Sequence, residues 1–243
     1  VLDFGFQYAV RDVLIKKLGT KKLAELFAND HKYNDQDSNA NQLLNFIGNH
    51  DLGRFAEALQ KSEHNYSDQE KLSRLTLAHS MMYFLRGVPV VYYGSEQGFV
   101  GDGGNHDSRQ DMMPSMVASY NDDTLIGSDK TTADDNFDKS HPLYQSLAKF
   151  ADVYYRNDAL KMGRQQVIHA KEGDALFAVT RTTENEKYLV LYNTNNNALG
   201  TDISLSTSGV QPIYDTGKTT IDDNNGEVNI TMTPLSVAIY KVK

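Results

Sequence analysis

The sequence changes its periodicity at Gly163, and that change limits what the chain can fold into. Before Gly163, short apolar runs alternate with segments of helical spacing; after it, only strand patterns remain. Strands alternating with helices call for a parallel sheet covered by helices, whereas a run of strands alone calls for packed antiparallel sheets. The expectation is an α/β domain over residues 1–160 and a small all-β sandwich over residues 161–243.

Val1 to Phe4 reads as the end of a strand, followed by helices over Tyr8 to Leu18 and Lys21 to Ala28. The Asn- and Asp-rich stretch from Asn29 to Asn41 reads as a loop, and Leu43 to Gly48 as a buried strand. Ser67-Asp68-Gln69-Glu70 is a capping box, in which Ser and Glu satisfy each other's orphan amides. It opens a helix to about Arg86 that is apolar nearly all round and so packs on more than one side. Gly87 ends it, and Val88 to Tyr93 is a third strand. The loop from Gly94 to Ser140 is long enough that function is its usual explanation. Pro142 opens another helix through Leu143, Leu147, Phe150, Ala151 and Tyr154. Beyond Gly163, Ala175 to Thr180 and Tyr188 to Asn193 read as a hairpin, Asn225-Gly226 as a type I′ turn, and Leu235 to Tyr240 as a final strand.

Charge and composition exclude several classes. With 24 Lys+Arg against 32 Asp+Glu the net charge is −8, which argues against a broad nucleic-acid footprint. No uninterrupted apolar stretch is long enough for a membrane-spanning helix. The absence of cysteine removes disulfides, thiolate metal sites and cysteine nucleophiles together. Val1-Leu2-Asp3-Phe4-Gly5-Phe6 is no signal peptide and reads as a start in mid-domain.

Two expected strands end directly in polar residues, the position at which parallel α/β sheets bind ligands. One ends in Asn49-His50-Asp51, the other in Tyr92-Tyr93-Gly94-Ser95-Glu96. By residue type alone, the His-Asp pair reads by default as a hydrogen-bonded corner, and the tyrosines as core or rim packing. Two such ends on one face favour a shared site.

Phe46-x-x-Asn49-His50-Asp51, with Arg54-Phe55 just beyond, resembles the fourth conserved block of the α-amylase superfamily of glycoside hydrolases. Gly87-x-Pro89-x-x-Tyr92-Tyr93-Gly94-x-Glu96 is similar to that family's block at the eighth barrel strand, and Leu2-Asp3-Phe4 with Tyr8-Ala9 to its sixth-strand segment. Gly101-Asp102-Gly103-Gly104 and Arg109-Gln110-Asp111-Met112 resemble the loop after the eighth strand. The resemblance implies the C-terminal portion of a (β/α)8 TIM barrel, strands six to eight, followed by the all-β sandwich.

It also implies a chemistry. The family cleaves α-1,4-glucans with retention, which needs a nucleophilic carboxylate and an acid/base carboxyl about 5 Å apart. Asp51 matches a third carboxylate that grips the sugar and stabilises the transition state, and His50 matches the neighbouring imidazole. Asn49, Arg54, Tyr93 and Arg109 complete the implied substrate-contacting set, although Arg109 with Asp111 also reads as a loop-holding salt bridge. No segment matches the nucleophile or acid/base blocks, so this chain alone is expected to be inactive. A three-strand remnant exposes two sheet edges, so the N-terminal part of the barrel is the expected partner, as a second chain or as contiguous polypeptide.

No metal or cofactor is expected in this chain, and Ca²⁺ is left to the complete enzyme. Asp102, Asn105 and Asp107 offer oxygen ligands, but a solvated acidic loop is the simpler reading. His79 reads as a satisfied core histidine. A polymeric α-glucan substrate implies a secreted or periplasmic protein, without nucleic-acid or membrane partners. Two alternatives stay open: a transglycosylase or α-glucosidase of the same family, and a non-catalytic amylase-like binding or assembly subunit.

Overall fold

A computed structural model describes residues 1–224 and 227–243, and Asn225-Gly226 lies outside the described residues. Three parallel segments lie side by side. Leu2 bridges Leu44 in parallel, and β1 (Leu44–Asn45) pairs with β2 (Val88–Pro89) in parallel. The Val90 amide donates to the Asn45 carbonyl and prolongs the contact by one bond.

Helices follow these segments. α1 (Phe4–Leu14) starts four residues before the expected Tyr8 because Asp3 caps it, its carboxylate accepting the Phe6 amide at 2.9 Å. α2 (Lys21–Phe27) lies where its spacing predicts, and α3 (Phe55–Gln60) follows β1. α4 (Asp68–Phe84) has half of the expected capping box. The Ser67 hydroxyl accepts the Glu70 amide at 3.3 Å, but the Glu70 carboxylate takes Arg74 at 2.7 Å instead of returning to Ser67. Gly87 (φ +114°) then turns the chain, at a point where a Cβ would collide with the Asn45 amide group. The expected strand to Tyr93 shrinks to Val88–Pro89 within the ladder. α5 (Pro142–Arg156) and α6 (Asp158–Met162) complete the helical part, and none of the described helices is long and apolar enough to cross a membrane.

A buried ion cluster ties the parallel segments together. Arg86, just before β2, pairs with Asp3 and, at 2.8 Å, with Asp30; it also donates to Asn45.

From Arg164 onward the chain is antiparallel. One sheet orders β3 (Arg164–His169), β4 (Leu176–Thr182), β5 (Lys187–Asn193), β10 (Ser236–Val242) and β7 (Val210–Asp215). The other orders β6 (Leu199–Ser204), β9 (Glu227–Met232) and β8 (Thr220–Asn224). The strands flanking Asn225-Gly226 pair antiparallel, with Asn224 opposite Glu227.

The central strands are buried on both faces, and the period of two sorts their side chains. Phe177, Val179, Tyr188, Val190, Tyr192, Val237 and Ile239 join one core with Phe6, Leu14, Met81, Phe84 and Phe150 of the helices. Leu176, Ala178, Leu189, Leu191, Ala238 and Tyr240 join a second core with Ile203, Val228 and Ile230 of the smaller sheet.

Candidate active site

The chain leaving β1 stays buried through Phe46 and Ile47 and then turns sharply. Asn49 makes the turn: its Oδ1 accepts the amides of Asp51 (3.0 Å) and Leu52 (2.8 Å), and its own amide donates to the Gly53 carbonyl. Gly53 closes it at φ +79°. With Asn49 spent on the backbone, His50 and Asp51 project outward side by side. His50 Nε2 lies 3.3 Å from Asp51 Oδ1, and the side chains are 50% and 63% exposed. The strand tip thus presents one free carboxylate beside one imidazole. Asn49 Nδ2 is buried without a hydrogen-bond partner among the described residues.

Gly53 and Gly104 are explained by what they touch. A Cβ on Gly104 would stand 2.3 Å from the Asp51 carbonyl oxygen, and one on Gly53 would stand 2.7 Å from that of Gly103. Close backbone approach between two loops some fifty residues apart requires glycine on both sides. Ser108 is fully buried, and its hydroxyl lies between two acceptors, the carbonyls of Asn105 (3.2 Å) and His50 (3.3 Å).

Tyr93 is partly exposed beside Tyr92, with ring centroids 4.8 Å apart in an edge-to-face arrangement. Burial, and then the neighbouring Tyr92, push its hydroxyl up to about 12, so it stays a neutral hydrogen-bonding group. Arg54, the residue before α3, is only 3% exposed. Its guanidinium donates to the Tyr93 carbonyl (2.7 Å), the Ser108 carbonyl (3.0 Å) and Gln110 Oε1 (3.2 Å). It also lies against the rings of Tyr92, Tyr93 and Phe99. Arg109 is exposed and donates to Asn105, making no ion pair with Asp111 among the described residues.

Asn49, His50 and Asp51 therefore share one turn, and Arg54 ties that turn to the segment carrying Tyr93 and Arg109. Sequence reasoning missed Ser108 and Gln110, both buried within the loop. Their signal is faint: Gln110 is an uncharged residue between Arg109 and Asp111, and Ser108 carries no motif of its own.

The carboxylates of Asp102, Asp122 and Asp123 converge within 4.8 Å, the one such group of three among the described residues. Burial first, then Asp102 and Asp122, push Asp123 up to about 6. Asp107 is not part of this group. Three carboxylates supply a fraction of the six to eight oxygens that Ca²⁺ takes.

The model of the α-amylase catalytic domain matches residues 1–141, more than half of the chain. The chain belongs to the α-amylase superfamily. Over 244 residues it is 34% identical to an alpha-amylase of Streptomyces lividans, an alignment taking in 99% of this chain and 27% of that protein. It is 25% identical over 251 residues to a cyclomaltodextrin glucanotransferase of Bacillus sp. (strain 1-1), covering 100% of this chain and 30% of that one. Among solved structures, an alpha-amylase from H. orenii superposes with a TM-score of 0.73 at 16% identity, over 100% of this chain and 48% of that one. A cyclomaltodextrin glucanotransferase with a three-domain ABC distribution gives 0.73 at 22% identity, over 100% and 44%. The chain thus spans a quarter to a half of the length of these amylase-family relatives. The helical part is a portion of a (β/α)8 barrel, and an all-β sandwich follows it.

Proposed function

We propose that this chain is the C-terminal part of an α-amylase-like retaining glycoside hydrolase acting on α-1,4-glucans, to which it contributes Asp51. The observation that carries the reading is the turn at the tip of β1, which spends Asn49 on the backbone and leaves the Asp51 carboxylate free beside His50. In a retaining hydrolysis, positive charge builds on the sugar ring as it becomes oxocarbenium-like. A fixed carboxylate at the ring, with an imidazole donor beside it, binds that state more tightly than the neutral ground state. The nucleophile and the acid/base lie in the part of the enzyme preceding Val1.

The exposed apolar side chains agree with this division. Val1, Leu2 and Phe4 lie on one edge of the three parallel segments, and Val88 and Val91 on the other. These are the edges that the remaining strands of a closed barrel cover. We place the enzyme outside the cytoplasm, where its polymeric substrate is met.

The test is Asp51→Asn in the complete enzyme with soluble starch as substrate. We expect kcat to fall by about 10²–10³-fold, the size of a lost transition-state contact, with the fold intact by circular dichroism. A rate within a few-fold of the parent would remove Asp51 from the mechanism. The relatives named cyclomaltodextrin glucanotransferase favour a second reading, transfer of the glycosyl group to a sugar acceptor rather than to water. The ratio of cyclic or elongated products to reducing ends separates the two.

A further inference from the structure

We propose that Arg54, acting with Gln110, is a positioning residue that locks the 91–111 segment, which carries Tyr93 and Arg109, onto the turn that presents Asp51. The proposal rests on the reading of Asp51 given above.

Each of the three guanidinium nitrogens of Arg54 donates to a different residue: Nη1 to the Tyr93 carbonyl, Nη2 to the Ser108 carbonyl and Nε to Gln110 Oε1. These acceptors are 39, 54 and 56 residues away in the sequence, and none is a carboxylate. The group therefore gains no ion pair in return for burial, which pulls its pKa below the ordinary arginine value. What it gains is geometry: a planar fork with donors in fixed directions suits three acceptors at once, and a lysine ammonium does not.

Gln110 continues the connection. It is 1% exposed, and its Nε2 donates to the Asp107 carbonyl at 2.7 Å and to Asp123 Oδ2 at 2.9 Å. The Ser108 carbonyl accepts from the Tyr92 hydroxyl as well as from Arg54, while the Ser108 hydroxyl reaches back to the carbonyl of His50. Ser108 thus stands between the His50 carbonyl, in hydrogen-bonding reach of its hydroxyl, and Arg54, which holds its carbonyl through a buried bond. Tyr93 and Arg109 hang from this network as direct chain neighbours of its members. Movement of either loop relative to Asp51 must break a buried hydrogen bond.

The complete enzyme is compared with its Arg54→Lys, Gln110→Ala and doubly substituted forms, and with Asp51→Asn. For each, kcat and KM on a maltooligosaccharide of defined length are measured together with amide hydrogen exchange. Arg54→Lys is expected to lower kcat by about 10–100-fold, the effect of an ångström-scale misplacement, with a smaller change in KM. Exchange should quicken over residues 91–111 and stay unchanged in β4, β5 and β10. Because the two residues act as a unit, the double variant should be within about twofold of Arg54→Lys alone. Unchanged kcat in Arg54→Lys overturns the proposal. So does exchange that accelerates evenly along the chain while kcat per folded molecule is kept, the mark of a merely structural residue. If Asp51→Asn keeps its rate while Arg54→Lys loses its own, the reading of Asp51 has failed, and what Arg54 serves is the 91–111 segment rather than that carboxylate.

Discussion

His79 lies on α4 with no exposed surface to speak of. Its Nδ1–H donates to the Leu75 carbonyl at 2.8 Å, while its Nε2 is buried without a partner among the described residues, so the core histidine read from the sequence is satisfied at one nitrogen only. Burial therefore pulls its pKa down to about 4, against 6.5 ordinarily. The sign follows from proton counting: between these values the unfolded chain carries the proton and the folded one does not. Stability from this residue is full above pH 6.5 and is lost as pH falls toward 4, by up to roughly 3 kcal/mol. Replacing His79 by Gln should flatten the decline of Tm over that interval, and an unchanged slope would show that other groups govern it. The type of this residue and its apolar surroundings were legible in the sequence; the missing second partner was not, because it depends on which helices and strands close over α4. Arg54 was harder still. Next to the Asn-His-Asp run it reads as a ligand contact, yet the fold places it beneath the loops, bonded to residues more than thirty positions away.

Elements show a matching division between local and long-range signals. Ser67 announced the start of α4 correctly, because an N-cap is settled within one turn of chain. The Glu70 carboxylate was drawn to Arg74, itself buried with a bond to the Leu14 carbonyl, so tertiary contact overrode the second half of the box. Ser67→Ala should cost about 1 kcal/mol, as for other lost N-caps, and Glu70→Gln should not restore it; denaturant unfolding of both variants measures the difference. The strands of the barrel portion were legible as apolar runs but not in their lengths. A run of β-type residues becomes a ladder only where a neighbour lies alongside, and β2 has β1 on one side alone. In the sandwich, by contrast, every central strand has two neighbours, and β4, β5 and β10 extend over seven residues each, much as their patterns predict.

Across the whole molecule, the five-stranded sheet joins what the sequence divides near Gly163. One of its faces belongs to the core of the helices, the other to the core of the smaller sheet. The change of periodicity marks a change of architecture, but it does not mark a gap in packing: Phe177 stacks on Phe27 of α2, and the Tyr192 hydroxyl donates to the Ser80 carbonyl of α4. Two parts that share side chains of the same strands should not melt separately. Removing Phe177 on one face should cost about 3–5 kcal/mol and removing Leu191 on the other about 2–5 kcal/mol, from lost burial and the cavity left behind. Each loss should displace one common transition rather than split it. The comparison is made in the complete protein, following far-UV circular dichroism and near-UV tyrosine signals through denaturant unfolding of Phe177→Ala and Leu191→Ala. Coincident curves for both probes in both variants are the expected outcome. If Leu191→Ala instead unfolds the sheets at lower denaturant while the helical signal persists, then the shared face does not couple the two parts, and the helical core holds without the strands that line it.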